Sequence, residues 1–466
     1  MIFRSLTSSL LCLSLSISFV TAESLTGLRL LVVLEDAELK PLYSKFLGDL
    51  EGRGYKVDIQ SPKNEALSLF THGQRAYDHA ILFPPKAKGY GPSLTPQKLV
   101  DFVHKDGNIL LLTSPSGTPE QARELARELD IDLPPRDFLA VDHSSYDVVS
   151  ATESGKHDVI LIPRPGVSDS TQNYFAGSSG EGEGEVIAFR GTGHGLGNRP
   201  LLFPVLSAGR AAYTYDTKED FAYAEEPWTA GRQMQYVTAM QARNNARVVV
   251  AGSTEMFSDK FFDMMVKAPK AETEVHTANR KFAEQITSWV FMETGVVRVN
   301  AVRHYLTNTT DAQVNPNVYR VKNDITFEIE LSEWSSTQWK PFTVPSSDHL
   351  QLEFTMLDPY YRLPLLASPS SSTPTSSVYA TSFKAPDQHG IFAFKVNYKR
   401  PFVTYIDEKY TVTLRHFAHN EYTRSWDISG AWVWIAGIAA TIGGFTVFCA
   451  LWLYSAPTER GVKKTQ

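Results

Sequence analysis

Between Ala431 and Tyr454 the chain reads AWVWIAGIAATIGGFTVFCALWLY, without one charged side chain. At a 1.5 Å rise per residue this run makes a helix of roughly 36 Å, enough to cross a ~30 Å hydrocarbon core with some tilt. Trp432 and Trp434 stand at one end, Trp452 and Tyr454 at the other, where amphipathic rings favour the two water–lipid boundaries. A buried helix of a soluble protein can be as apolar, but the uninterrupted length and aromatic ends favour a membrane span, placed at 428–454. Ala436, Ala440 and Gly444 recur every four residues, a small-residue stripe for packing against another transmembrane helix.

The flanks orient the span. Beyond it, SAPTERGVKKTQ (455–466) carries Arg460, Lys463 and Lys464 against Glu459, whereas Glu421, Arg424 and Asp427 on the other side give no positive excess. Positive charge stays cytoplasmic, so this tail is read as cytosolic and the bulk of the chain as luminal. Lys463 and Lys464, fourth and third from the end, resemble the dilysine signal that retrieves type I membrane proteins to the endoplasmic reticulum. At the amino end Arg4, the apolar run Leu10–Val20 and the small residues before Glu23 have the order of a signal peptide, 1–22.

Cys12 and Cys449 are the only cysteines, one in that signal and one in the span. The luminal chain therefore has no thiol for a disulfide, a nucleophile or a zinc ligand, and must stand on apolar cores and partner contacts. A net charge of −6 argues against a nucleic-acid partner.

Residues 23–295 read as a luminal α/β domain. Leu28–Leu34 and Asn108–Thr113 are apolar runs of buried-strand length, with further strands at Tyr55–Ile59 and Ala80–Phe83. Helices are expected at Tyr43–Leu50, after Thr95-Pro96, and after a capping box at Thr118–Gln121. The alternation predicts a doubly wound, mostly parallel sheet. The catalytic fingerprints of such sheets fail. The first strand runs into Glu35-Asp36-Ala37-Glu38 rather than a glycine-rich phosphate turn, and Ser116 lacks the glycine two residues earlier that a nucleophile elbow needs. Asp142, His143 and Asp147 could suggest a metal or acid–base cluster, but read better as hydrogen-bonded turn residues. Gly177–Gly184 (GSSGEGEG) reads as a flexible loop. Gly191–Gly197 (GTGHGLG) opens no helix and so reads as a loop too, with His194 a loop residue rather than a ligand. Ala239–Ser253 (AMQARNNARVVVAGS) joins a polar segment to the strand Arg247–Ala251. In Asn279–Glu293, Phe282, Ile286, Trp289 and Val290 share one helical face.

Over 296–427 the apolar period becomes two, at Ile325–Leu331, Leu350–Met356, Phe392–Tyr398 and Tyr410–His416, which predicts a luminal antiparallel β-sandwich. Ala367–Ser377, rich in Pro, Ser and Thr, is expected to be its least ordered loop. His416 and His419 have poor spacing for zinc and read as core or rim residues. Asn308-Thr309-Thr310 is a glycosylation sequon.

LRLLVVLEDAE, YDHAILFPPK, VDHSSYD, FRGTGHGLG, MQARNNARVVVAGSTEMFSDKFF, WVFMETGVVR and FKVNY together resemble the family of the 48-kDa subunit of oligosaccharyltransferase, called the wheat-germ-agglutinin-binding subunit in fungi. The resemblance runs from about Leu28 to Tyr454. His143-Ser144 stands where animal relatives tend to have paired histidines, which speaks against a shared metal role there. The resemblance implies a non-catalytic subunit of the endoplasmic-reticulum complex that moves a preassembled high-mannose oligosaccharide from dolichyl diphosphate to asparagine in N-x-S/T sequons. It implies as partners a multi-spanning catalytic subunit holding a divalent metal, a ribophorin-II-like subunit and a small DAD-type subunit, beside membrane lipid. No cofactor or catalytic residue is expected on this chain. It also implies a glutamine-amidotransferase-like first domain without the cysteine such enzymes need. The competing reading is an independent luminal hydrolase or sugar-binding receptor built on the α/β domain.

Overall fold

The computed structural model describes residues 24–64, 66–85, 89–164, 174–175, 185–218, 226–269, 271–307, 313–346, 348–369, 372–422 and 431–454. The first region is built on a nine-stranded sheet. Its centre comprises β1 (Arg29–Val33), β2 (Lys56–Gln60), β3 (His79–Leu82), β4 (Asn108–Leu112), β5 (Met234–Gln241) and β6 (Arg247–Ala251). Their order across the sheet is β2-β1-β3-β4-β6-β5. The first five are parallel, and β5 adds antiparallel to β6. The parallel strands thus follow the flavodoxin-like 2-1-3-4-5 order, reversing direction between β1 and β3.

Successive side chains of a strand point to opposite faces, and β1 shows the consequence. Leu30 and Val32 pack with Phe46 and Leu47 of α1 (Ser44–Gly52) and with Ile286 and Trp289 of α4 (Asn279–Val290). Leu31 and Val33 pack on the other side with Leu99 and Phe102 of α2 (Pro96–His104) and Leu125 of α3 (Glu120–Glu128). Two helical layers therefore bury both faces of the sheet, and the run LLVV has no polar position because neither face meets water. All four residues of the apolar face expected on α4 are fully buried, each worth roughly 1.5–3 kcal/mol of transfer free energy.

The helix starts show which local signals act. Thr95 Oγ1 accepts from Lys98 N at 3.4 Å, with Pro96 opening α2. The capping box at Thr118 does not form. Pro119 takes the cap position of α3, and the Thr118 hydroxyl instead accepts from Ser114 N (3.0 Å) and donates to Ser114 O (2.7 Å). Gln121, its expected partner, accepts from Tyr90 N at 2.7 Å. The polar segment that opens Ala239–Ser253 is also corrected, because its start belongs to the buried strand β5.

From Val296 two five-stranded sheets face each other. One contains β7 (Val296–Leu306), β8 (Asp324–Ser335) and β10 (Ser377–Lys384). The other contains β9 (Gln351–Thr355), β11 (Gly390–Tyr398) and β12 (Ile406–Arg415). Ile325, Phe327, Ile329 and Leu331 of β8 meet Leu352 and Phe354 of β9 and Phe392, Phe394 and Val396 of β11. Two details depart from the sequence pattern. Val318–Arg320 pairs parallel with β12, and Tyr410 and His416 lie outside the core. The Ala367–Ser377 segment is also tied down where described: Ser376 is fully buried and donates to Glu330 Oε1 at 2.6 Å.

Candidate functional site

In an open α/β sheet the usual ligand position lies beyond the carboxyl ends of the strands, where the strand order reverses. Here that place follows β1 and β3. Glu35 pairs with Lys63 at 3.2 Å, its backbone carbonyl accepts from Ser61 Oγ, and β3 is followed by Phe83-Pro84-Pro85. A prolyl nitrogen has no proton to donate, so among the described residues this edge offers an anion few donors. Ser116 is exposed on the turn after β4.

The glycine-rich Gly191–Gly197 run is the clearest correction to sequence reading. It is not an open loop, because His194–Leu196 is a strand paired with β5 and with Ile131–Asp132. Thr192 N donates to Gly252 O at 2.8 Å, and Gly252 N donates to Tyr236 O at 2.8 Å. A Cβ on Gly191 would lie 2.2 Å from Gly252 O, and one on Gly193 2.2 Å from Met234 Sδ. Gly191 permits two backbones to touch and Gly193 leaves room for the Met234 side chain, and the polar groups of the run face protein. His194 is fully buried, its Nε2 2.7 Å from Thr238 Oγ1, and burial pushes its pKa down to about 3, so the ring is neutral.

Asp142 accepts from Ser144 N and Oγ (2.7 and 2.6 Å). Asp147 caps a short helix through Ser150 N (2.9 Å) and accepts from Lys267 N (2.8 Å). Both aspartates are buried and spent on backbone. His143 Nδ1 lies 2.6 Å from His157 Nδ1, and its Nε2 lies 3.0 Å from Tyr213 OH. Among the described residues, no group of three or more His, Cys, Asp or Glu side chains is placed to hold a metal ion. His416 and His419 are exposed, and His416 stacks at 3.9 Å on His389.

The best-organised polar constellation is one that sequence reading missed. It joins the α/β region to the sandwich. Arg247, the first residue of β6, is fully buried. Its Nη1 donates to Trp289 O (2.6 Å) and Thr294 O (2.7 Å), and its Nη2 to Gly295 O (2.6 Å). These carbonyls lie at or just past the end of α4, where the helix dipole is negative and orphan acceptors accumulate. The guanidinium also lies 4.6 Å from the Trp289 ring, and burial pulls its pKa down to about 9, which leaves it charged near neutrality. Trp289 Nε1 donates to Phe402 O (2.8 Å), Gln241 Nε2 to Val403 O (2.9 Å), Thr404 N to Gly295 O (3.0 Å) and Tyr405 N to Asn245 Oδ1 (2.7 Å). The sequence signal was present: one arginine opening an otherwise apolar strand, RVVVA.

The apolar carboxyl-terminal segment forms α5 (Ala431–Leu453), long and apolar enough to cross a membrane, with its side chains open to their surroundings. Ala436, Ala440 and Gly444 lie along one side of it by their four-residue spacing, and a Cβ added to Gly444 would meet nothing within 4 Å. Asn308, Lys463, Lys464, the 1–22 segment and Gly177–Gly184 lie outside the described residues.

Residues 21–293 match the family description "OST48, N-terminal domain" and residues 304–456 match "OST48 middle domain". The chain is 34% identical over 417 residues to the dolichyl-diphosphooligosaccharide–protein glycosyltransferase subunit wbp1 of Schizosaccharomyces pombe, covering 90% of each chain. It is 32% identical to the 48 kDa subunit of the same-named glycosyltransferase in Arabidopsis thaliana (94% of this chain, 95% of that one). The corresponding figure in Caenorhabditis elegans is 30%, covering 93% of each. A ThuA-like protein of Parabacteroides merdae with a solved structure aligns at 10% identity over 56% of this chain and 89% of its own, with a TM-score of 0.30, too low to carry an argument about fold. With both described regions matched and relatives aligned over nearly their whole length, the chain belongs to the OST48 family.

Proposed function

We propose that this protein is a non-catalytic subunit of the oligosaccharyltransferase complex, which transfers a preassembled oligosaccharide from dolichyl diphosphate to asparagine in N-x-S/T sequons. The observation that carries this reading is the end-to-end similarity to glycosyltransferase subunits, 90% of both chains in the fission-yeast case. The accessory role is supported by what the side chains do. The sheet's polar and glycine-rich segments are consumed internally, and the mature chain retains only Cys449, inside α5, so an amidotransferase-like fold would have no thiol to use. Fold layout does not transfer activity.

In this reading α5 anchors the chain as a single-pass protein of the endoplasmic reticulum membrane, with residues 23–427 luminal. Lys463 and Lys464 serve retrieval, and Asn308 accepts a glycan. The Ala436–Ala440–Gly444 stripe packs against a helix of the catalytic, ribophorin-II-like or DAD-type subunit. The divalent metal belongs to the catalytic subunit.

The test is affinity isolation of the full-length chain from microsomes in mild detergent. Transferase activity on a sequon peptide should co-isolate, and replacing Ala436, Ala440 and Gly444 together by Leu should reduce it while leaving luminal protease resistance unchanged. A monodisperse single chain without associated transferase, or one that itself cleaves sugars, refutes the reading.

A further inference from the structure

The sandwich has two ends, and they differ in kind. One end is bound to the α/β region through Gly295, Phe402 and Thr404. The strand register places the other. Gly390 pairs with Leu414 at the close of β12, and Val321 N donates to Arg415 O at 2.9 Å. The hairpin after β9 reaches this same end, since Thr355 pairs with Ala393 and a Cβ on Gly390 would lie 3.1 Å from Met356 Sδ. Phe417 follows, 5.5 Å from Tyr422 ring to ring.

This far end carries apolar side chains that no packing explains. Leu357, at the tip of the hairpin, is 93% exposed. Ile391 and Val318, which flank Thr413 from its two neighbouring strands, are 68% and 51% exposed, and Tyr422 is 62% exposed. Single exposed apolar residues such as Leu366 beside β10 are ordinary on a surface, but four gather on this end, and one of them is a leucine standing almost free on a turn. Charges of both signs meet at this end: Arg415 pairs with Glu421 at 2.7 Å and Lys322 with Asp387 at 2.9 Å, Arg320 lies 4.8 Å from the Phe417 ring, and Lys384 stands opposite Asp324 in the strand register.

The chain length says what lies opposite. Tyr422 is followed by eight residues, 423–430, and then by Ala431, the first residue of α5. Nine extended steps reach at most about 30 Å. An end with free apolar side chains and balanced charge, held within that distance of a lipid boundary, matches a zwitterionic headgroup layer. Interfacial burial there needs apolar area rather than net cation. We propose that the tip of the sandwich, led by Leu357 with Ile391 and Tyr422, rests in the luminal headgroup layer of the bilayer. The sandwich then stands on the membrane as a second footing beside α5. This rests on the reading of α5 as a span.

The experiment reconstitutes the full chain, with whatever subunits purify with it, in phosphatidylcholine nanodiscs containing lipids spin-labelled at the headgroup or deep in the acyl chain. An environment-sensitive fluorophore is placed at Leu357→Cys or Thr337→Cys in a Cys449→Ser background, and separately at native Cys449. The exposed Thr337 follows β8, whose Trp334 pairs with Val296 at the end of the sandwich bound to the α/β region, so it serves as the distal control. The expected result is a blue shift and loss of emission at position 357 with the headgroup label, insensitive to salt, and no change at position 337. If Cys449 is quenched by the deep label but position 357 is not, the second footing is refuted while the span stands. If position 357 is blue-shifted yet unquenched, protein rather than lipid covers the tip, and the proposal likewise falls. If Cys449 is not quenched, the span itself is refuted, and the footing with it.

Discussion

Arg247→Met removes a buried guanidinium while keeping most of its apolar stem, and so isolates the three hydrogen bonds to Trp289 O, Thr294 O and Gly295 O. Hydrogen bonds from a charged donor are worth about 1.5–3 kcal/mol each, so three set a gross loss of roughly 4.5–9 kcal/mol. Against this, the variant no longer buries a cation, a cost of several kcal/mol. The net is a destabilisation of about 3–5 kcal/mol, a large fraction of the ~5–15 kcal/mol that holds a typical domain. Arg247→Lys should fall between, because one ammonium cannot span three carbonyls with the geometry of a planar fork. Trp289→Phe, which loses the bond to Phe402 O and weakens the ring contact with Arg247, should cost less than Arg247→Met. The assay is thermal unfolding of the detergent-solubilised full chain by tryptophan emission, where Arg247→Met should lower the midpoint by roughly 6–10 °C. Protease cleavage near Gly295–Val297 should rise in parallel. A midpoint within error of wild type, with unchanged cleavage, would refute the claim that this fork holds the junction.

Gly295→Ala should destabilise by about 2 kcal/mol or more, because its φ is +67° and the new Cβ would sit 2.4 Å from Phe402 O; a neutral result in urea unfolding overturns this. Asn279→Ala should cost about 2–4 kcal/mol, since the buried amide accepts from Ala188 N and donates to Ala188 O and Met256 O; retention of the wild-type midpoint refutes it. Burial pushes His79 down to about 4 and His194 down to about 3. Both rings are neutral when folded, while the unfolded chain takes up their protons below pH ~6.5. Stability is therefore complete above that pH and falls as acid is added toward 4, by about 2 kcal/mol per ring at pH 5. His194→Gln should flatten that acid loss relative to wild type, and an unchanged pH profile in the variant counts against the assignment.

Much of the fold could be read locally. Leu28–Leu34 announces a strand buried on both faces because neither side offers water a polar contact. Thr95-Pro96 announces a helix start because capping and proline geometry act within four residues. The alternation at Ile325–Leu331 survives because one face of β8 meets the opposite sheet. The failures share the opposite property. Thr118 could cap α3 or close its own turn onto Ser114, and Pro119 between them decides for the turn. Gly191–Gly197 reads as open loop until Gly252, some sixty residues later in sequence, is seen against it. The strand Met234–Gln241 runs into the segment read as polar from Ala239, and its own Gln235, Thr238 and Gln241 find partners at Ser207, His194 and Val403. A partner far along the chain turns a polar residue into a core residue, and spacing within one segment carries no trace of it.

The junction bears on what such a chain can do. Gln241, Asn245, Trp289 and Gly295 come from three separate pieces of the α/β region, and all bond to Phe402–Tyr405 on one turn of the sandwich. A hinge would require those bonds to open together, each contributing about 1 kcal/mol, while Phe402 left its contacts with Phe175, Phe203 and Trp289. Domain movement of the kind that closes an enzyme cleft is therefore opposed where it would have to occur. A body with two cysteines, Cys12 and Cys449, at its opposite ends holds its shape instead by a buried cation and aromatic packing at one joint. That suits the accessory role proposed above, in which the part keeps other subunits at set positions.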